Sequence, residues 1–329
     1  MLRVTALSTR KDGYANVSRM LTWARVWRIF TPAYFFRPQQ VFIRAWHRLS
    51  WHSQTRATVL LPWGLRITID PHEAIGHNIA TIGLYDTVVT ETLWRLTGGD
   101  ELAVDAGANI GYTASILGAR LGRDGRVLCF EPHPQMFLSL RSNVAVWANN
   151  ARCAKFELHQ QALGSHDGKA TLLTDDSFTT NKGTAWIGRT GKEDGQEELP
   201  IEMVQLDGII KEQDKIGVLK IDVEGGELDV LRGMSRLLAE HSVRDILFEE
   251  TRSFPAPTHR YLKDRGYSIF GLEEGFWGVR LLPEAPPRYD PQIGPNPNYL
   301  ATCDPARALR NLSPPFWRSF GLLKFVGNT

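Results

Sequence analysis

Three observations predict an α/β fold, a doubly wound sheet whose parallel strands are covered by helices on both faces. From about residue 100, apolar runs of strand length alternate with amphipathic runs of helix length. The stretch VDAGANIGYT, Val104 to Thr113, joins a strand to a helix through a turn carrying Gly107 and Gly111. Several strands then end on polar side chains, where ligands bind in sheets of this kind.

The elements follow in order. TVLLPWGLRITID (58–70) reads as a hairpin ahead of the core. ELAVD, ending at Asp105, is a short buried strand. NIGYTASILGARLG is a helix with Ile110, Ala114, Leu117 and Leu121 on one face. RVLCFEP (126–132) is the next strand, PQMFLSLRSNVAVWA (134–148) the next helix and FELHQQALG (156–164) the strand after it. Between about 165 and 205 the rhythm breaks into short alternating segments with Gly turns, an antiparallel insertion with an acidic loop at 191–198. IGVLKIDVEG (216–225) is a buried strand and turn, and GELDVLRGMSRLLAEH (226–241) a helix burying Val230, Leu231, Met234, Leu237 and Leu238. DILFEE (245–250), a short helix in APTHRYLKDRG and the strand YSIFGLEE continue the alternation. The proline-rich stretch 283–297 must be irregular, and NYLATC after it reads as the last strand. Four parts result: a basic, aromatic, helical extension over 1–55, a hairpin-and-helix lead-in over 56–98, a binding core over 99–275, and a Pro-rich segment with last strand and tail over 276–329.

With 43% hydrophobic and 22% charged residues, the 329-residue chain has the composition of a soluble globular protein. Its net charge of +2 hides an asymmetry. Residues 1–50 carry nine Lys or Arg against one acid, Asp12, a net of +8 that leaves −6 for the rest. Cys129, Cys153 and Cys303 show no CxxC spacing, which argues against a disulfide framework or a zinc site. No run of about 18 apolar residues exists, and the first 20 residues lack the apolar core of a secretory signal, so a cytoplasmic protein is expected.

The polar strand ends carry the functional argument. Asp105, Glu131, the Gln160-Gln161-Ala162 run, and Asp222 with Glu224 all fall where a ligand would lie. Glu131 ends the strand after the glycine turn, where a carboxylate can accept both hydroxyls of a ribose. A nucleoside-containing ligand follows, either a dinucleotide or S-adenosylmethionine. A dinucleotide turn needs Gly at its first, third and sixth positions, but counting from Gly107 these are Gly107, Asn109 and Tyr112. Asp105 would also repel a pyrophosphate, whereas it suits a ligand with an ammonium and a sulfonium.

VDAGANIGYT, VLCFEPHPQMFLSLRSN, QALG and VLKIDVEGGELDVLRGM resemble the FkbM family of S-adenosylmethionine-dependent methyltransferases, over roughly residues 80–275. GLYDTVVTETLW resembles the family segment ahead of the glycine loop, with Asp86 where the family usually has Glu. The resemblance implies a class I methyltransferase fold, a Rossmann-like, seven-stranded sheet with a reversed last strand. It implies S-adenosyl-L-methionine as cofactor and S-adenosyl-L-homocysteine as product. The implied acceptor is a hydroxyl on a sugar, glycolipid, polyketide or other natural product. Asp105, Gly107, Ala108, Asn109 and Gly111 would form the methionine-side loop, and Glu131 would hold the ribose. Pro132 and His133 would border the adenine, with Gln161 and Ala162 on its other side; Tyr85 and Asp86 would close over the amino-acid end. Asp222 and Glu224 would face the transfer cleft, and Asn181 resembles an Asn of the family's insertion. Because the strand must end near Val223, Asp222 is the more rigidly held and is expected to orient the cofactor or act as the base needed for turnover, with Glu224 holding the acceptor.

Blander readings stand beside these. Gly107 and Gly111 could serve helix–strand packing, His133 could be a plain loop residue, and Lys220 could form a structural ion pair. Glu227, in a first helical turn, favours the positive end of the helix dipole. No His/Asp cluster has metal-ligand spacing, so no metal is predicted. An NAD- or nucleotide-sugar-dependent enzyme, or a non-catalytic cofactor-binding module, are the alternatives. WARVWRIF and FIRAWHRL place aromatics among arginines, the pattern of a segment lying on an anionic membrane or of a helical cap on the core. No nucleic-acid motif accompanies this charge, and no pattern specifies an oligomeric state.

Overall fold

A computed structural model describes residues 32–36, 38, 42, 56–174, 186–188, 197–288 and 296–320. Of the basic extension expected over 1–55, one short helix is described, α1 (Pro32–Phe36); the rest lies outside the described residues, as does Asn181. The expected hairpin ahead of the core is β1 (Ala57–Leu60) paired antiparallel with β2 (Arg66–Ile69). Helices α2 (Ala74–Ile82) and α3 (Thr87–Leu96) follow. Glu73 caps α2 by accepting the Gly76 N–H, and Asp86 caps α3 by accepting the Val89 N–H.

The core alternates as its pattern predicts. It runs β3 (Leu102–Ala106), α4 (Tyr112–Leu121), β4 (Arg126–Phe130), α5 (Pro134–Trp147) and β5 (Lys155–His159). After the insertion come α6 (Leu206–Ile209), β10 (Ile216–Ile221), α7 (Glu227–Arg232), α8 (Ser235–Ala239), β11 (Val243–Glu249) and α9 (Pro257–Lys263). Then follow β12 (Ser268–Gly275), β13 (Gly278–Pro283), β14 (Asn298–Thr302) and α10 (Pro305–Leu312). The main sheet has the order β13-β12-β14-β11-β10-β3-β4-β5. β11, β10, β3, β4 and β5 are mutually parallel, and β14 runs antiparallel between β11 and β12. Every residue of β3 and β10 is buried, as expected of parallel strands covered on both faces. Alternate residues feed two separate cores. Ala103, Val127 and Val218 pack with α2–α5, while Val104, Leu128 and Leu219 pack with α7–α9.

The seven-stranded order with a reversed last strand is present, and the structure adds an eighth strand to it. β13 falls between the strand YSIFGLEE and the proline-rich stretch 283–297, in residues to which the pattern gave no strand, and it pairs with β12 through a tip at Phe276-Trp277. Pro283 ends this strand at the sheet edge, where a missing N–H breaks no interior ladder. The insertion forms a second sheet of β6 (Ala162–Leu163), β7 (Gly168–Thr174), β8 (Trp186–Gly188) and β9 (Glu197–Val204). β7 is antiparallel to β8 and β9, and β6 is parallel to β9. Residues 191–196 of the acidic loop lie outside the described residues. Among the described residues no helix is long and apolar enough to cross a membrane.

Candidate active site

The carboxyl ends of β3, β4, β10 and β11 and the amino end of the reversed β14 meet at one edge of the sheet. A cavity of about 320 Å3 opens there. Gly107 starts the loop after β3 with φ +77°, a left-handed conformation that glycine adopts freely. A Cβ on Gly107 would lie 1.9 Å from the Asp222 carbonyl oxygen, so only glycine lets the two strand ends approach. Asn109, also left-handed, accepts the Ile110 N–H with its own side chain (2.7 Å).

Glu131 is buried at the end of β4 and braces that loop. Its Oε2 accepts the Asn109 N–H and its Oε1 the His133 N–H, both at 2.8 Å. Each oxygen keeps a further lone pair, and the residue lines the cavity. Burial pushes its carboxyl up to about 7, against the pull of those two N–H groups. His133 has a structural role as well, since Nδ1 accepts the Gln135 N–H at the start of α5 (3.2 Å).

Lys220 is the hub beneath the cavity. Its Nζ donates to the Gly107 carbonyl (3.0 Å) and meets Asp222 Oδ2 at 3.2 Å and Asp105 Oδ1 at 3.6 Å. The structural ion pair is therefore present. Burial works against its charge, but Asp222 and Asp105 outweigh that and hold its pKa above the ordinary value. Asp105 is completely buried and its other oxygen accepts from Thr113 (2.5 Å). Burial raises its pKa, and Lys220 offsets part of that.

After β10 the chain turns through Glu224 at φ +52° and Gly225 at φ +96°. Buried Glu227, the first residue of α7, closes this turn by accepting the Gly225 N–H (2.9 Å). Glu224 lines the cavity, and burial with Asp222 and Glu227 nearby raises its carboxyl to about 7. Glu249, at the end of β11, is raised to about 9 by burial and by Asp222 and Glu224; it accepts from the Asn296 amide. Asp86, raised to about 6 chiefly by burial, accepts from Asn298 (3.1 Å).

The structure brings together on this cavity Tyr85, Asp86, Gly107, Ala108, Asn109, Glu131, Pro132, His133, Gln161, Ala162, Asp222 and Glu224. It does not place Asp105 or Gly111 there. Asp105 lies behind the wall and acts through Lys220. Gly111 starts α4 at φ +94°, and a Cβ there would approach Leu140 and Trp147 within 2.8 and 3.0 Å, a packing position. Gln161 also ties the main sheet to the insertion by donating to Glu202 (3.1 Å). Glu249, which the sequence offered as a further candidate beside Asp222 and Glu224, also lines the cavity, and Asn296 and Asn298 join it without having been singled out. The signal was the reversed strand: residues just before an antiparallel strand share an edge with residues just after parallel ones. Among the described residues no group of three or more His, Cys, Asp or Glu is arranged to hold a metal ion.

Glu249 predicts a stability effect. Its folded-state pKa lies above the unfolded one, so the stability it contributes is present below about pH 4.5 and is lost as pH rises through about 9. Glu249→Gln removes the charge and keeps a partner for Asn296. The variant's gain over wild type should be near zero at about pH 4 and grow with pH to several kcal/mol by about pH 9. Thermal melts across that range decide it, and a difference independent of pH would refute the assignment.

The family described as Methyltransferase FkbM domain matches residues 105–269, half of the chain. Methyltransferase sdnD of Sordaria araneosa is 26% identical over 220 residues, which cover 56% of this chain and 82% of that protein. Hexuronic acid methyltransferase AglP of Haloferax volcanii is 31% identical over 152 residues, or 46% of this chain and 56% of that protein. The crystal structure of methyltransferase FkbM from Methylobacillus flagellatus KT shares 17% identity. It covers 62% of this chain and 44% of that one, with a TM-score of 0.37, and adds nothing to the strand order above. With its glycine loop, Glu131 and the Asp222–Glu224 turn all inside the matched segment, this chain belongs to the FkbM methyltransferase family.

Proposed function

We propose that the protein is an S-adenosylmethionine-dependent methyltransferase that methylates a hydroxyl of a polyhydroxylated acceptor. The charge of the cavity carries this reading. Five acidic side chains line it (Asp86, Glu131, Asp222, Glu224 and Glu249) against one lysine, Lys220, already paired with Asp105 and Asp222. Burial and mutual repulsion raise four of these carboxyls (Asp86, Glu131, Glu224 and Glu249), so a cationic ligand placed among them relieves that repulsion and draws them into the ionised form. Such a lining suits a ligand with a sulfonium and an ammonium and repels the pyrophosphate of a dinucleotide. Glu131 has free lone pairs for a ribose diol, with Pro132 and His133 beside it. Gln161, Ala162 and Leu163 supply a further wall for an adenine.

When bound, S-adenosylmethionine supplies an activated methyl group, so the protein's task is to place the acceptor and take its proton. Glu224, Glu249, Asn296 and Asn298 present carboxylates and amides suited to a sugar-like hydroxyl array; the hexuronic acid acceptor named for AglP is of that chemistry. Asp222 was expected to be the base. Its Oδ2 is held by Lys220, whereas Glu224 projects from the turn with a carboxyl near 7. We assign the proton to Glu224 Oε and give Asp222 the task of orienting the ligands over Lys220.

Calorimetric titration tests the cofactor. S-adenosylhomocysteine should bind and NAD should not; the reverse result would overturn the reading. Glu131→Ala should weaken S-adenosylhomocysteine by about 1.5–3 kcal/mol, a loss of one ribose acceptor carrying charge. Ala also strands the Asn109 and His133 N–H groups, so Glu131→Gln serves as the milder comparison. Unchanged affinity in both folded variants would place the ribose elsewhere.

A further inference from the structure

The tip between β12 and β13 consists of Phe276 and Trp277, which are 41% and 51% exposed. Tight hairpin turns ordinarily carry Gly, Asn or Asp, so two large aromatics here need a reason. They do not stand alone. Phe316 (48% exposed) packs edge-on against Trp277 at 5.4 Å, and Phe35 (61% exposed) lies 5.3 Å from Phe276. Contiguous exposed apolar patches mark interaction sites.

The patch is held rigidly from below. The Phe316 N–H donates to the Trp277 carbonyl and the Trp317 indole N–H to the Phe276 carbonyl (3.1 Å). Trp317 and Phe320 are buried and stacked at 5.2 Å, with Phe36 against Phe320. A buried ion pair, Glu91–Arg95 on α3, fixes the segment that carries Phe316. Arg95 donates to the carbonyls of Asn311, Pro314 and Phe316, and Glu91 accepts the N–H groups of Arg318 (2.9 Å) and Ser319 (2.8 Å). A buried charge pair satisfied this completely by one loop defines that loop's position.

Direction and charge identify the occupant. β12 and β11 both run antiparallel to β14, so β12 points toward the cavity edge. Leu272 is level with Glu249 through Asn298, so the strand end at Gly275 reaches about 10 Å further out, at ~3.3 Å per residue. Glu273 and Glu274 beneath the tip are engaged by Arg280 and Thr87, and Arg318 beside Phe316 is exposed. The chain that enters α1 carries Arg25 and Arg28 just before it and Arg37 just after, within a leader of net charge +8. Aromatics that are apolar in body and can rest at the headgroup level, with the exposed Arg318 beside them and a basic leader in the same chain, fit an anionic bilayer surface.

We propose that Phe276 and Trp277, flanked by Phe35 and Phe316, form a membrane-docking tip that enters the interface of an anionic lipid bilayer. Docking this way turns the cavity edge toward the membrane. The acceptor is then an amphiphile held at that surface, a consequence that rests on the methyltransferase reading, while the docking itself does not.

Sedimentation of the full chain with vesicles tests the docking, using phosphatidylcholine alone and phosphatidylcholine with phosphatidylserine. Wild type should sediment with the anionic vesicles and weaken as salt is raised. Phe276→Ser/Trp277→Ser should lower the bound fraction about tenfold or more, with S-adenosylhomocysteine binding and circular dichroism unchanged. No binding by wild type would overturn the proposal. So would equal binding by the double variant, which assigns the lipid contact to the leader alone. A wild-type dimer in sedimentation velocity that the double variant dissolves, without vesicle binding, would show that a second copy covers the patch and would likewise overturn it. Because no arm measures methyl transfer, failure here is distinct from failure of the proposed activity.

Discussion

Lys220→Met should destabilise the fold by about 3–5 kcal/mol, the cost of stranding a buried charge whose partner is removed. The stranded group is Asp105, completely buried and offered only Thr113 besides the lysine. Asp222 adds less, because its side chain is 41% exposed and can be hydrated. Denaturant unfolding of the single variant measures the loss, and Asp105→Asn in the same chain should restore most of it by removing the second charge. The pH dependence has a definite sign. Burial raises the Asp105 pKa in the folded state, and without Lys220 it rises further. The variant's deficit should therefore shrink as pH falls and the carboxyl becomes protonated. A Lys220→Met protein as stable as wild type at neutral pH would show that the hub contributes nothing net.

Glu224→Gln should lower the methyl-transfer rate by about 10²–10⁴, the usual worth of a general base, while cofactor affinity changes little. With its carboxyl near 7, wild-type kcat/KM should rise with pH through that region as Glu224 ionises, and the Gln variant should lose this limb. Asp222→Asn is the informative comparison. It weakens the contact with Lys220 and should reduce turnover while leaving the pH limb in place. Labelled methyl transfer to a panel of sugar-like acceptors provides the readout. If Glu224→Gln retains near-full turnover and Asp222→Asn does not, the base is Asp222, as the motif alone suggested. If both retain it, Glu249 becomes the group to replace.

Much of this site is legible in the residues themselves. The alternation of Leu102–Ala106 and Ile216–Ile221, the glycine turn after Asp105 and the carboxylate of Glu131 are local patterns. Period, turn chemistry and strand-end polarity encode them within a few adjacent positions. They determined the α/β order, the sheet edge where the cavity opens and a dozen of the residues that line it. The tertiary structure alone decided that Lys220 reaches Asp105, Asp222 and Gly107 at once, that Gly111 packs against Trp147, and that Asn296 and Asn298 return to the cavity on a reversed strand. It also decided that Glu91 and Arg95 lock a loop more than two hundred residues away. The reason is physical. Local propensity acts between neighbours in the chain, whereas burial of a charge depends on which distant groups exclude water from it and which hydrogen bonds they return, and that is settled only when strands far apart in sequence pair.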